Sequence, residues 1–304
     1  MNNSIAFPSD EQQLFQEFER KLQIIRDRVS SVAHNYHTGC YLVGRPGTSK
    51  TYTVMEELGR LERPSLCNNA RMSPYGLFCL LDEHRDHVTV LDDITSVFKN
   101  EQAMEILLAA LDGRPGKPRT ITYKTKDKDL SVPFSGAIIA ISNVPMRCDR
   151  LAHALGSRIV VLEHEPTDDE LAAFIRYLAA KGFMDLTADE CAEVAEFIIS
   201  ETRQYDLRLD LRHLTKGWQD YRQYKHGRSQ TTWRDLIRTS LHKTAGEPFV
   251  PRSKQEDMER QRQRVRESVR QHPNDRHAQI EASGLKSSTF YNRLKEIQAE
   301  PQAA

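Results

Sequence analysis

Leu14, Phe18, Leu22, Ile25, Val29 and Val32 recur at steps of three and four, which paints one apolar stripe along a helix over residues 10–33. Ser9 or Asp10 stands where its N-cap belongs. The pattern then changes to short continuous apolar runs at 39–43, 88–91, 137–141 and 159–162, with a weaker run in 64–70. Strands buried on both faces read this way. Helical patterns separate the runs, so the chain predicts an α/β fold with a parallel sheet covered by helices.

From residue 166 only helical patterns remain. Thr167-Asp168-Asp169-Glu170 and Thr187-Ala188-Asp189-Glu190 are capping-box sequences ahead of apolar-periodic runs, and Gly182 separates the two. A third helix is expected to start near Leu209 and to run past Trp218. A Pro/Gly linker, 246–251, leads to a highly charged stretch and then to a short helical module. The expected organisation is an N-terminal helix (1–35), an α/β core (36–165), a helical domain (166–245), a charged linker or helix (246–270) and a helix-turn-helix-like module (271–304).

Composition narrows the possibilities. The 43 basic and 43 acidic side chains balance, which argues against a uniformly basic nucleic-acid coat and leaves room for a local patch. Five scattered cysteines without metal-like spacing suggest reduced thiols in a cytosolic protein. The N-terminal residues lack a secretory pattern, and no apolar run is long enough to span a bilayer. The expected location is the cytoplasm, with no membrane partner.

Residues 44–51 read Gly44-Arg45-Pro46-Gly47-Thr48-Ser49-Lys50-Thr51, between an apolar strand and a helix. Such a loop turns successive backbone N–H groups onto phosphate oxygens, at a helix N-terminus whose dipole favours anions. Gly44 and Gly47 permit the turn, Lys50 suits the outer phosphates and Thr51 suits Mg²⁺. Ser49 stands where a glycine is usual, and would crowd the phosphates if its φ is positive. About forty residues on, the strand at 88–91 ends in Asp92 and Asp93. The first is assigned to the metal and the second to the attacking water. Asn143 tips the strand at 137–141 and is placed to reach between phosphate and water. Arg158 precedes the strand at 159–162, where it is expected to face outward, towards a neighbouring subunit's nucleotide. Arg212 stands at a helix start, where it would close onto the same nucleotide.

GRPGTSKT, VTVLDD, IIAISN, GSR and LDLRHL, in this order and spacing, resemble the AAA+ ATPase family over about residues 20–230. The resemblance implies an αβα phosphate-loop core with a five-stranded parallel sheet in order 5-1-4-3-2 and a helical lid. It also implies ring or filament assembly, with ATP and Mg²⁺ at subunit junctions. By the same resemblance, residues 44–51 correspond to Walker A, Asp92 and Asp93 to Walker B, and Asn143 to sensor 1. Arg158 corresponds to the arginine finger, with Arg150 as the alternative, and Arg212 to sensor 2. Asp93 replaces the usual glutamate and is one methylene shorter, so slow, assembly-stimulated hydrolysis is expected. Residues 91–124 also resemble AAA+ proteins of bacteriophages and mobile elements.

Residues 112–134 suggest a basic hairpin with strands at 120–123 and 130–134. Arg114, Lys117, Arg119, Lys124, Lys126 and Lys128 give it charge for tracking phosphates; Asp127 and Asp129 fit equally a solvated loop. At 276–298, a helix, a turn at Gly284 and a helix from Ser287 form a helix-turn-helix pattern. Ala278, Ile280, Leu285, Leu294 and Ile297 are expected inside, with Lys286 and Arg293 among the residues facing DNA. Residues 251–304 carry 11 Lys/Arg against 8 Asp/Glu, and a protein-docking role stays open. Two functional classes follow: an ATP-driven machine on DNA or a DNA-bound protein complex, or an ATP-gated scaffold that hardly turns over.

Overall fold

The computed structural model describes residues 9–93, 97, 100–126, 129–144, 154–243 and 254–299. Arg150, Lys128 and the 246–251 linker lie outside the described residues. In chain order the first unit contains α1 (Ser9–Ala33), β1 (Gly39–Val43), α2 (Lys50–Arg60), β2 (Ser65–Asn68), α3 (Pro74–Glu83) and β3 (Val88–Asp92). There follow α4 (Glu101–Leu111), β4 (Arg119–Lys124), β5 (Asp129–Phe134), β6 (Ala137–Ser142) and β7 (Val160–Glu163). Four helices complete it: α5 (Asp168–Ala179), α6 (Ala188–Gln204), α7 (Leu211–Lys225) and α8 (Trp233–Lys243).

Five strands form one parallel sheet in the order β2-β3-β6-β1-β7. Alternate residues of its inner strands serve opposite faces. Cys40, Leu42, Val88, Val90, Ile139 and Ile141 belong to one hydrophobic cluster. Tyr41, Val43, Leu91, Ile138 and Ala140 belong to the other. The first cluster takes in α1, α2 and α5–α8; the second takes in α3, α4 and the hairpin β4–β5. An α/β architecture with a five-stranded parallel sheet is therefore present, and β6, fully buried along its length, is flanked by strands on both sides.

The apolar stripe of α1 buries Phe18, Leu22, Ile25, Val29 and Val32. The helix begins one residue earlier than expected, so Ser9 and Asp10 lie inside it. Phe18 packs with its ring tilted 34° against Phe174 of α5, centroids 4.5 Å apart, and the cluster runs without a break from the sheet into the later helices. The division expected at residue 165 is thus not a packing boundary: α1 presents one stripe to both sides of it. Both capping boxes form, at Thr167/Glu170 and Thr187/Glu190. The third helix starts at Leu211 after an Asp210 cap, and α8 is an additional helix whose Trp233, Ile237 and Leu241 share one buried face.

Of the described residues, 254–299 form a second unit. It contains α9 (Lys254–Gln271), α10 (Arg276–Ser283) and α11 (Ser287–Ala299). Of the two forms expected for the charged stretch, linker or helix, residues 254–271 take the helix, and it belongs to this module: Val265 and Ser268 of α9 are buried along with Gln279, Ser283 and Phe290. The anchor is Phe290, fully buried, whereas the expected core residues Ala278, Ile280, Leu285, Leu294 and Ile297 are half-buried. Three helices share so small a core that one aromatic ring dominates it. Gly284 ends α10 at φ 63°, a conformation glycine adopts freely.

Phe290→Ala removes that ring and is expected to destabilise the module by about 3–5 kcal/mol. Amide exchange across 254–299 should rise accordingly; unchanged protection there would show that another residue holds the three helices.

Candidate functional site

β1, β3 and β6 run parallel, so Val43, Asp92 and Ser142 end at the same edge of the sheet. The loop that follows β1 turns back there into α2, with Gly44 N–H donating to the Ser142 carbonyl at 3.2 Å. Open α/β sheets place ligands at this carboxyl edge.

Two glycines shape the loop for different reasons. At Gly44 an added Cβ would lie 2.0 Å from the His164 carbonyl oxygen, so contact with the segment after β7 excludes any side chain. Gly47 has φ 70° and an added Cβ would meet the Asp210 carboxylate. Ser49 also has a positive φ, 72°, in the region that costs an L-residue roughly 1–2 kcal/mol. The serine that replaces the usual glycine thus carries backbone strain at the mouth of α2.

Lys50, at the first turn of α2, is buried. Its ammonium donates to the carbonyls of Gly44 (2.7 Å) and Arg45 (2.5 Å) and to Oδ1 of Asn143 (3.1 Å). Burial pulls its pKa down to about 8, against the opposing pull of Glu165 and Asp92. Thr51 donates its hydroxyl to Asp92 Oδ2 at 3.0 Å. Burial raises the Asp92 pKa; the Thr51 hydrogen bond opposes this and the neighbouring Asp93 adds to it. A cation at this pair would be favoured. Hydroxyl and carboxylate oxygens are the donors a hard divalent ion prefers. Asp93 is exposed, at φ 54°, with its backbone N–H on the Ile141 carbonyl.

A cleft of about 700 Å³ opens beside these residues, within the range of small-molecule pockets. Residues 47–51, Asp92, Asp93, Asn143 and Arg212 supply its polar wall; Phe174, Leu178, Leu211, Leu214 and Trp218 supply an apolar one. Of the expected site residues, the structure therefore gathers Gly47, Thr48, Ser49, Lys50, Thr51, Asp92, Asp93, Asn143 and Arg212. No protein-family model matches the chain, and no curated protein matches it.

Other expected site residues stand elsewhere. Pro46 belongs to the loop but does not line the cleft. Arg45 turns away into the protein and pairs with Asp168 at 2.5 Å. Arg158 lies outside the cleft, donating to the Ala154 carbonyl and facing Asp112 at 3.4 Å. Arg119 is a correction. It is buried, bonded to the carbonyls of Phe134 and Gly136 and set 5.3 Å over the Phe134 ring, so it braces the hairpin from inside. Burial pulls its pKa down to about 10. The strand alternation of β4 puts residue 119 inward, and counting charges along the hairpin could not reveal that. Lys124 is exposed and paired with Asp129; Lys126 and Lys286 are exposed. Arg293 is held within its own module by Gln261 and Glu296.

His164, Glu165 and Asp210 were not expected at the site. Glu165 Oε1 accepts the Arg45 N–H at 2.9 Å. Asp210 caps α7 by accepting the Arg212 N–H at 2.6 Å, while Leu211 N–H donates to the Gly47 carbonyl. Only Asp210 had a sequence signal, as a cap ahead of an apolar-periodic run. His164 is buried, with Nε2 2.9 Å from the Thr48 carbonyl. A carbonyl only accepts, so the neutral ring carries its proton on Nε2. Among the described residues no group of three or more His, Cys, Asp or Glu side chains is gathered to hold a metal, and no helix is long and apolar enough to cross a membrane.

Two outcomes are expected. Ser49→Gly should raise unfolding free energy by about 0.5–1 kcal/mol, the relieved strain less glycine's added chain entropy; a loss in urea titration would contradict this. Burial lowers the His164 pKa to about 4. Above about 6.5 the ring is neutral in both states; as pH falls towards 4 the unfolded chain gains a proton that the folded one refuses. Stability should therefore drop over that window by up to about 3 kcal/mol, and His164→Asn should flatten the drop in denaturation measured against pH.

Proposed function

We propose that this protein is an AAA+-type ATPase that binds Mg·ATP in the cleft beside the 44–51 loop and acts on DNA or on a DNA-bound protein complex. The observation that carries the reading is the Thr51–Asp92 hydrogen bond, 3.0 Å, at the head of the helix that Lys50 opens. It sets two hard oxygen ligands next to a cationic side chain and a helix N-terminus, which is the chemistry a metal–triphosphate needs.

Other features support it. The sheet order β2-β3-β6-β1-β7 is the expected 5-1-4-3-2 read from the other end, with β6 as the fourth parallel strand and β7 as the fifth. In this reading Thr51 and Asp92 would hold Mg²⁺, which would screen the phosphates and organise water. Lys50 would exchange the loop carbonyls for phosphate oxygens. Asp93, exposed beside Asp92, would orient the attacking water, Asn143 would hold Lys50 in register, and Arg212 would neutralise charge from the α7 side. The apolar wall ending in Trp218 suits a base. Arg158, exposed just ahead of the edge strand β7, suits a neighbouring subunit in a ring or filament. The α10–Gly284–α11 turn, with Lys286 exposed, supports a helix-turn-helix contact with DNA.

A second reading, an ATP-gated scaffold with little turnover, draws on Ser49 at φ 72° and on the short carboxylate of Asp93. DNA-stimulated turnover by the wild type separates the two. For the ATPase, Asp93→Asn should lower kcat at least about a hundredfold while Mg·ATP still binds. Lys50→Ala should lose binding. If Asp93→Asn hydrolyses at the wild-type rate, Asp93 does not orient the water.

A further inference from the structure

The segment that joins β7 to α5 wraps around the 44–51 loop. His164 N–H donates to the Val43 carbonyl at 2.7 Å, its ring reaches the Thr48 carbonyl and its carbonyl lies over Gly44. Glu165 accepts the Arg45 N–H. Three residues on, α5 begins with Asp168, Asp169 and Glu170. These three acids have different partners: Asp168 takes Arg45 of the loop, Asp169 takes Arg203 of α6, and Glu170 takes Lys21 of α1. Only the first pair joins the loop to the helical segment that carries Phe174 and Leu178 into the cleft.

Arg45 is unlike the other arginines of the first unit that pair with acids. It is only 4% exposed, and among the described residues its Nε and Nη2 have no partner, which leaves Asp168 as its one acceptor. A buried guanidinium with a single acceptor loses much more than a surface one when that acceptor leaves. Displacing the start of α5 from the loop would therefore strand Arg45. Displacing the loop would have the same effect, since the Arg45 backbone continues directly from Gly44 and its carbonyl takes the Lys50 ammonium. If Lys50 leaves that carbonyl for a phosphate, the change begins on Arg45, the residue whose side chain forms the brace.

We propose that Arg45 is a positioning residue: through Asp168 it couples the conformation of the 44–51 loop to the first turn of α5, so that occupancy of the loop sets how firmly the helical wall closes on the cleft. This rests on the nucleotide reading of that loop for its ligand, but the coupling itself is a property of the chain.

The test is amide exchange on the full-length protein, read at 47–51 and at 168–175, with and without Mg·ATP, alongside kcat and KM. The variants are Asp168→Asn, Arg45→Ala, Arg45→Lys, the exchanged pair Arg45→Asp with Asp168→Arg, and Arg203→Ala. The last breaks the neighbouring Asp169 pair, which does not touch the loop. In the wild type, Mg·ATP should slow exchange at 168–175 by about tenfold. Asp168→Asn should abolish that transfer and lower kcat by about tenfold with KM changed less than about threefold. Arg45→Lys should restore part of it, and Arg203→Ala should leave it intact. Without nucleotide, Arg45→Ala should raise exchange at both segments together. Should Asp168→Asn transmit the nucleotide effect as the wild type does, or Arg45→Ala loosen α5 alone, the coupling is wrong. Failure of the wild type to bind Mg·ATP would overturn the nucleotide reading instead, and the ligand-free comparison would still decide the coupling.

Discussion

Neither Gly44 nor Gly47 has room for a side chain, and that constraint organises the site. One is pressed against the His164 carbonyl and the other against the Asp210 carboxylate, so the loop is held between the segment that follows β7 and the start of α7. Backbone hydrogen bonds from His164 to Val43 and from Leu211 to Gly47 fix both contacts. The loop then has one path open to it, along the carboxyl edge of the sheet and into α2. That path delivers Lys50, Thr51 and the backbone N–H groups around them to one place. The parallel direction of β3 and β6 delivers Asp92 and Asn143 to the same place.

The strain at Ser49 and the burial of Lys50 belong to the same design. A positive φ at a serine and an ammonium drawn below its ordinary pKa both disfavour the loop as it stands. Structures hold such features where the surrounding packing over-determines them, most often at sites that bind or react. Here the packing comes from two sides at once, the sheet edge and the helical segment. The hydrophobic cluster shared by α1, the sheet and α5 makes those sides one body of packed side chains, and Phe18 against Phe174 is its clearest contact.

Much of this was legible in the sequence, and the reasons are specific. Continuous apolar runs gave the strands because β1, β3 and β6 are buried on both faces. Even the weak run at 64–70 contains β2, an edge strand whose burial is partial. The capping boxes at Thr167 and Thr187 were local signals for local structures. What was hidden depended on contacts distant along the chain. Arg45 sits in the middle of a recognisable loop and yet turns inward, because its partner, Asp168, is set by the segment that joins β7 to α5. Arg119 counts as one more positive charge in a basic hairpin until strand alternation buries it. The helical segment from 166 reads as a separate domain until α1 is seen to bridge it to the sheet. The charged stretch before residue 271 offered a helix but conceals Val265, one apolar position among arginines, and with it the fact that this helix shares the core that holds Phe290.

The claim that most of the proposal depends on is that the Lys50, Thr51 and Asp92 cluster receives a metal–triphosphate. A crystal structure of the protein with Mg²⁺ and a non-hydrolysable ATP analogue tests it most directly. Phosphate density is expected within hydrogen-bonding distance of the backbone N–H groups of residues 47–51. The Lys50 ammonium should have left the Gly44 and Arg45 carbonyls for phosphate oxygens, with the metal beside Thr51. Nucleotide bound elsewhere, with Lys50 still on those two carbonyls, would contradict it.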